Sequence, residues 1–96
     1  MAESLRTQIA REIHKAVAAY PEGMHVHDRS ARDIARYRRM LEVLGLPLDT
    51  ELVLATLTDA QCNKLLRFLR IYNKPNKTRY DWINLEAMIE DAAADA

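Results

Sequence analysis

What this chain has little of excludes much of the chemistry available to a protein. Its single cysteine, Cys62, rules out an internal disulfide and points to a reducing compartment, or to one where disulfides are not needed. Two glycines and three prolines leave no material for long loops or for sheet-rich turn chemistry. With two serines, Ser4 and Ser30, there is no nucleophile elbow, and no phosphate loop or dinucleotide fingerprint is present. No stretch approaches the roughly 18 apolar residues that span a bilayer. The opening MAESLRTQIAREIHK carries charges throughout and no apolar core of leader length, so a cytoplasmic protein is expected.

What remains is an ordinary globular composition, 49% hydrophobic and 29% charged, in 96 residues. That length makes a single domain, 1–96, and can bury a modest core without a metal or crosslink. The expected fold is all-α, one compact domain of four to five helices, with the Thr58–Tyr72 helix central and a frayed tail over about 92–96.

The central stretch, TDAQCNKLLRFLRIY, has the clearest helical signal. Thr58 and Gln61 have the spacing of a capping box, and Asp59 complements the helix dipole from the first turn. Cys62, Leu65, Leu66, Leu69 and Tyr72 recur at spacings of three and four and define one face. Phe68 and Ile71 widen it, and Lys74-Pro75 ends the helix. A first helix is expected over about 3–20, with Leu5, Ile9, Ile13, Ala16, Val17 and Tyr20 inward and Ser4, Arg6, Arg11 and Lys15 toward solvent. The 24–27 stretch reads as an extended connector. A second helix starts after Asp28 or Ser30, with Ser30 and Asp33 as a further capping-box pair. It buries Ile34, Tyr37, Leu41 and Leu44, with Met40 and Val43 beside them. Gly45 supplies the left-handed residue that closes it, and Pro47 follows. A short helix over about 51–57 and a last one from Thr78–Asp81 to about Asp91 complete the set, the last turning Trp82, Leu85, Met88, Ile89 and Ala92 inward.

Charge is unevenly distributed. Residues 1–80 carry +5, and residues 81–96 carry −5 through Asp81, Glu86, Glu90, Asp91 and Asp95. Two explanations stand: an acidic last helix packed beside basic ones, or a basic face for an acidic partner, partly screened by the tail. The basic side chains fall in two clusters. Arg29, Arg32, Arg36 and Arg39 share a face of the second helix. Residues 60–80 contain Lys64, Arg67, Arg70, Lys74, Lys77 and Arg79 and no acid, with Tyr80 and Trp82 adjoining.

Three other features carry chemistry. In His25-Val26-His27-Asp28 an extended backbone would place both imidazoles on one side, a workable pair of zinc ligands, but no paired HxxxH or CxxC completes a set. Cys62 lies where a helix dipole lowers a thiol pKa, yet its place on the leucine stripe makes it a core residue. Basic side chains beside aromatics suit phosphates and stacked bases, although a sequence pI near 6.8 falls short of a typical nucleic-acid binder. A helix-turn-helix aligned on Gly45 fails, because Glu51 stands where an apolar residue is needed.

In general style, the chain resembles the small accessory proteins of phages and plasmids: short, all-helical, with one cysteine and no catalytic residues. That resemblance of type implies a protein that binds and blocks or redirects a host protein. The expectation is therefore a non-enzymatic regulator, adaptor or inhibitor without cofactor or metal. Its contacts with an acidic protein surface fall to Arg36, Arg39, Arg67, Arg70, Lys74, Lys77 and Arg79. The alternative is a nucleic-acid-binding regulator that uses the same residues on phosphates.

Overall fold

The computed structural model describes residues 3–18, 22–46 and 54–94. Four α-helices are present among them: α1 (Leu5–Val17), α2 (Ala31–Val43), α3 (Asp59–Tyr72) and α4 (Arg79–Ala94). No strand occurs among the described residues. The all-α, single-domain architecture is thus shown, with four helices. The radius of gyration, 12.7 Å, is close to the roughly 12.5 Å of a compact chain this long.

Each helix begins and ends where its local chemistry requires. Ser4 Oγ accepts from the Thr7 N–H to cap α1, and Ser30 Oγ accepts from the Asp33 N–H to cap α2. At α3 both halves of the box form: Gln61 N donates to Thr58 Oγ1 at 3.1 Å, and Thr58 N donates to Gln61 Oε1 at 2.9 Å. Thr78 and Asp81 make the same reciprocal pair at α4. The end of α2 is a Schellman motif. Gly45, at φ 74°, turns the chain so that Leu46 N reaches Leu41 O (2.9 Å) and Gly45 N reaches Glu42 O (3.0 Å).

Helix α3 is central. It packs on both α1 and α4, and α4 also holds α2. It buries Cys62, Leu65, Leu66, Phe68, Leu69 and Tyr72. These meet Ile9 and Ala16 of α1, Tyr37, Met40 and Leu41 of α2, and Leu85, Ile89 and Ala92 of α4 in one continuous core. Cys62 is fully buried within it as a free thiol.

Several expectations need correction. Val26–Arg29 forms a 3-10 turn, so the extended alternation that would align His25 with His27 does not occur. On α2 the buried slot belongs to Asp33, while Ile34 stands 36% exposed. Arg6 is only partly a solvent residue: its guanidinium donates to Leu54 O and Leu57 O and pairs with the exposed Asp59, tying α1 to the start of α3. Val17, expected inward, is exposed. Leu54–Thr56 is a 3-10 turn where part of a short helix was expected; 51–53 lie outside the described residues, as do Tyr20 and Pro47. Helix α4 continues to Ala94, where fraying from about 92 was expected, and Ala92 is buried as the inner stripe expects.

Candidate binding surface and a buried ion cluster

The excess charge of the first eighty residues is largely met by α4. Glu86 bridges Arg36 (2.6 Å) and Arg39 (3.3 Å) of α2. On its other side α4 gives Asp91 to Lys64 (3.3 Å) and Asp81 to Lys74 (3.0 Å). An acidic helix is thus wedged between basic neighbours, and the first of the two charge explanations describes most of the imbalance.

The seven expected contact residues separate accordingly. Arg36 is mostly covered, paired with Glu86 and lying 5.0 Å over the Trp82 ring. Arg39 and Lys74 are exposed but spoken for by carboxylates. Arg70 is exposed and donates only to neutral Gln8, at 2.9 Å, so its charge is uncompensated. Arg67 and Arg79 are exposed with no acidic partner among the described residues, and Arg32 and Arg38, which the sequence did not single out as contacts, share that state. Beside Arg67 a groove of about 200 Å³ runs between α3 and α4, lined by Lys64, Asn84, Ala87, Met88 and Asp91.

Lys77 departs furthest from expectation. The sequence places it in an exposed basic loop, but its side chain is fully buried. Asn76 takes the left-handed backbone region (φ 56°), which asparagine tolerates, in the turn that leads to it. The Lys77 amine lies 3.5 Å from Asp28 Oδ1 and 3.9 Å from Asp33 Oδ2, and above the rings of Trp82 (5.3 Å) and Tyr72 (5.5 Å). Lys77 therefore presents no charge to a partner.

Arg29, grouped in the sequence with the exposed arginines, is likewise buried. Its guanidinium donates to Lys15 O (3.1 Å) and Ala18 O (3.4 Å) at the end of α1, and to Tyr72 O (3.5 Å) and Asn73 Oδ1 (3.1 Å) at the end of α3. One side chain thus supplies donors to two helix C-termini, where carbonyls lack partners and the dipole favours a cation. Tyr72 lies below it at 4.6 Å and stacks on Tyr37.

Asp33 completes the cluster and is its least comfortable member. It is fully buried, and neither carboxylate oxygen accepts a hydrogen bond. Burial pushes its pKa up to about 6, against the pull of Lys77, Arg29 and Arg36. Burial also lowers the Lys77 pKa, opposed by Asp33 and Asp28. An acid raised and an amine lowered side by side is a pattern that functional sites share with structural ion networks. Here both side chains are withdrawn from solvent, and the groove lined by Ser30, Arg32, Arg36 and Trp82 includes neither of them.

The sequence did carry a signal for Asp33, since it shares the 33-37-40-41-44 stripe with Tyr37, Met40, Leu41 and Leu44. It carried none for Lys77. His25 is exposed, and no group of three metal-capable side chains occurs among the described residues. No helix among them is long and apolar enough to cross a membrane. Comparison with protein-family models, curated proteins and solved structures found no match to this chain.

Proposed function

We propose that the protein is a non-enzymatic binding module, a small regulator, adaptor or inhibitor, whose partner is another protein with an acidic surface. The observation that carries this reading is the state of Arg67 and Arg70. They stand exposed, one turn apart on the central helix, with no carboxylate on either among the described residues, while α4 pairs its acids with Arg36, Arg39, Lys64 and Lys74. The groove beside Arg67, with Met88 and Ala87 in its lining, gives the same face an apolar seat. An acidic partner carrying one apolar side chain complements both features, the charges setting association rate and specificity. The proposed surface is narrower than the seven residues of the sequence reading: Arg67 and Arg70 form its centre, with Lys74 and Arg79 at its margin.

A second reading rests on a specific feature. Tyr80, 79% exposed beside the free Arg79, can stack on a base while the arginine meets a phosphate. Trp82 is less suited to that role, since its ring is already occupied by Arg36 and Lys77.

The test is capture from the native host with and without nuclease, comparing wild type with Arg67→Glu/Arg70→Glu. Both residues are exposed, so the reversal leaves folding nearly unchanged. The expected result is a partner that survives nuclease, is lost by the reversal, and keeps much of its affinity as salt rises. Binding that falls by about 0.7–0.9 log units per contacted phosphate for each tenfold rise in salt would instead favour nucleic acid. A reversal variant that binds as wild type does would remove this surface from consideration. Lys77→Glu is unsuited to the purpose, because it would set a third acid against Asp28 and Asp33 inside the protein.

A further inference from the structure

The outer face of α4 is built unlike the other solvent faces. Tyr80, Ile83, Ala87, Glu90 and Ala94 recur at three, four, three and four, so they form one strip along the helix. All five are exposed, Tyr80 by 79% and Ile83 by 55%. The opposite face buries Leu85, Ile89 and Ala92. A helix apolar on both faces is incompletely covered by its own fold.

The charges on the strip follow an order. Arg79, without an acidic partner among the described residues, marks its N-terminal end, and Glu90, without a basic one, lies near its C-terminal end. Between them are Ile83 and the small Ala87. A strip that is positive at one end, apolar in the middle and negative at the other is complementary to itself reversed. We propose that this face of α4 pairs with the same face of a second copy of the chain, the two helices antiparallel about a two-fold axis between Ile83 and Ala87.

In that arrangement Ile83 of each copy packs over Ala87 of the other, whose small side chain allows close approach. Arg79 and the Tyr80 hydroxyl of each copy meet Glu90 of the other. Every contact occurs twice, as an isologous interface requires. Arg79 and Glu90 are eleven residues apart, about 16 Å along the helix, so both charge pairs engage at once. The antiparallel helix dipoles add to the pairing, and a net charge of zero removes long-range repulsion between copies. Arg67 and Arg70, the centre of the surface assigned to an acidic partner, lie on α3 outside the strip; the strip shares only Arg79 and Ala87 with that surface, so reversing Arg67 and Arg70 tests the two apart.

The test is sedimentation of the purified chain over a concentration series, with circular dichroism as the check on folding. Wild type is expected to pass from monomer to dimer. Arg79→Glu sets acid against acid, and Glu90→Arg sets base against base, so each should weaken the dimer about tenfold or more. Mixing the two variants recreates both attractive pairs, and the mixture should dimerise as a heterodimer with near wild-type affinity. Ile83→Asp should abolish the dimer, and Arg67→Glu/Arg70→Glu should leave it unchanged. A chain monomeric up to about 1 mM overturns the proposal. So does a mixture as monomeric as its two components, which would mean that the strip does not meet itself in this register.

Discussion

The two ends of the helix bundle hold together by different means. At one end the C-termini of α1 and α3 meet the N-termini of α2 and α4, and the contacts are polar: Arg29 on carbonyls, Lys77 among Asp28, Asp33 and two rings, and Lys74 on Asp81. At the other end burial dominates: Leu46 and Leu57 are buried, Cys62 opens the buried face of α3, and Ala92 closes that of α4, with the half-exposed Arg6 on Leu54 O, Leu57 O and Asp59 as a polar tie at its edge. The apolar end gains from burying area without regard to direction. The polar end gains direction: each dipole end meets the charge that suits it, anions at the starts of α2 and α4 and cations at the ends of α1 and α3. That order has a cost, since Asp33 and Lys77 are withdrawn from water without a direct hydrogen bond between them. We read the polar end as the part that fixes how the helices are arranged, and the apolar end as the main source of cohesion.

The strongest test of this contrast is Lys77→Met. It keeps the length of the side chain and removes the ammonium that faces Asp28 and Asp33. Losing one partner of a buried pair costs about 3–5 kcal/mol, a large part of the roughly 5–15 kcal/mol that a domain has. Urea unfolding should show it. The paired variant Asp33→Leu/Lys77→Met should recover most of the loss or exceed wild type, because no unmatched charge is left. Leu69→Ala, in the core, should cost about 2–5 kcal/mol, and no second substitution of that kind would repair it. A Lys77→Met protein as stable as wild type would mean that the cluster is not closed to water.

A smaller effect follows from Asp33 alone. Its folded pKa, about 6, stands above the ordinary 3.8. The folded state therefore holds the proton more tightly than the unfolded state. The contribution is complete below the unfolded value and is lost as pH rises through about 6. Relative to acid conditions, the charged carboxylate at pH 7 costs on the order of 3 kcal/mol, at about 1.4 kcal/mol per unit. Wild type should thus gain stability from pH 7 to pH 5, and Asp33→Asn should lose that gain. The groups facing Asp33 are Lys77, Arg29, Arg36 and Asp28. Equal pH dependence in the two proteins would show that Asp33 titrates as it would in solvent.

The same contrast explains what the sequence made legible. The Thr58–Gln61 box, the Gly45 stop and the Cys62–Leu65–Leu69 stripe follow from spacing, and all stand where spacing puts them. The polar end is not legible in this way, because periodicity assigns charged residues to solvent. Spacing groups Arg29 with Arg32, Arg36 and Arg39, yet the carbonyls that draw it inward belong to the ends of α1 and α3, distant in sequence. Spacing puts Ile34 on the buried face and gives Asp33 a capping role, although Asp33 lies nearer the centre of the stripe that Tyr37, Met40, Leu41 and Leu44 define. Lys77 follows a turn, where no period applies. For the candidate surface, Arg67 and Arg70 were legible as one face; the pairing of Arg36, Arg39 and Lys74 with α4 needed the tertiary arrangement.

The two Thr capping boxes bring the comparison down to single residues. At α3 the returning side chain is neutral Gln61; at α4 it is Asp81, whose carboxylate accepts from Thr78 N (2.9 Å) and also holds Lys74. The Thr78 N–H and then Lys74 keep the Asp81 pKa below its ordinary value. A lowered folded pKa gives stability that is present above the unfolded value, 3.8, and lost as pH falls through the folded one. Asp81→Asn should therefore cost about 1 kcal/mol at pH 7, the usual worth of a cap, and progressively less below pH 3.8. Gln61→Ala removes half a box of similar geometry but no charge, so its cost should be the same at both pH values. Thermal unfolding of the two variants at pH 7 and pH 3 checks this. If the Asp81→Asn penalty persists unchanged in acid, the carboxylate is not ionised in its cap. The α4 box would then work as the α3 box does, by hydrogen bonding alone.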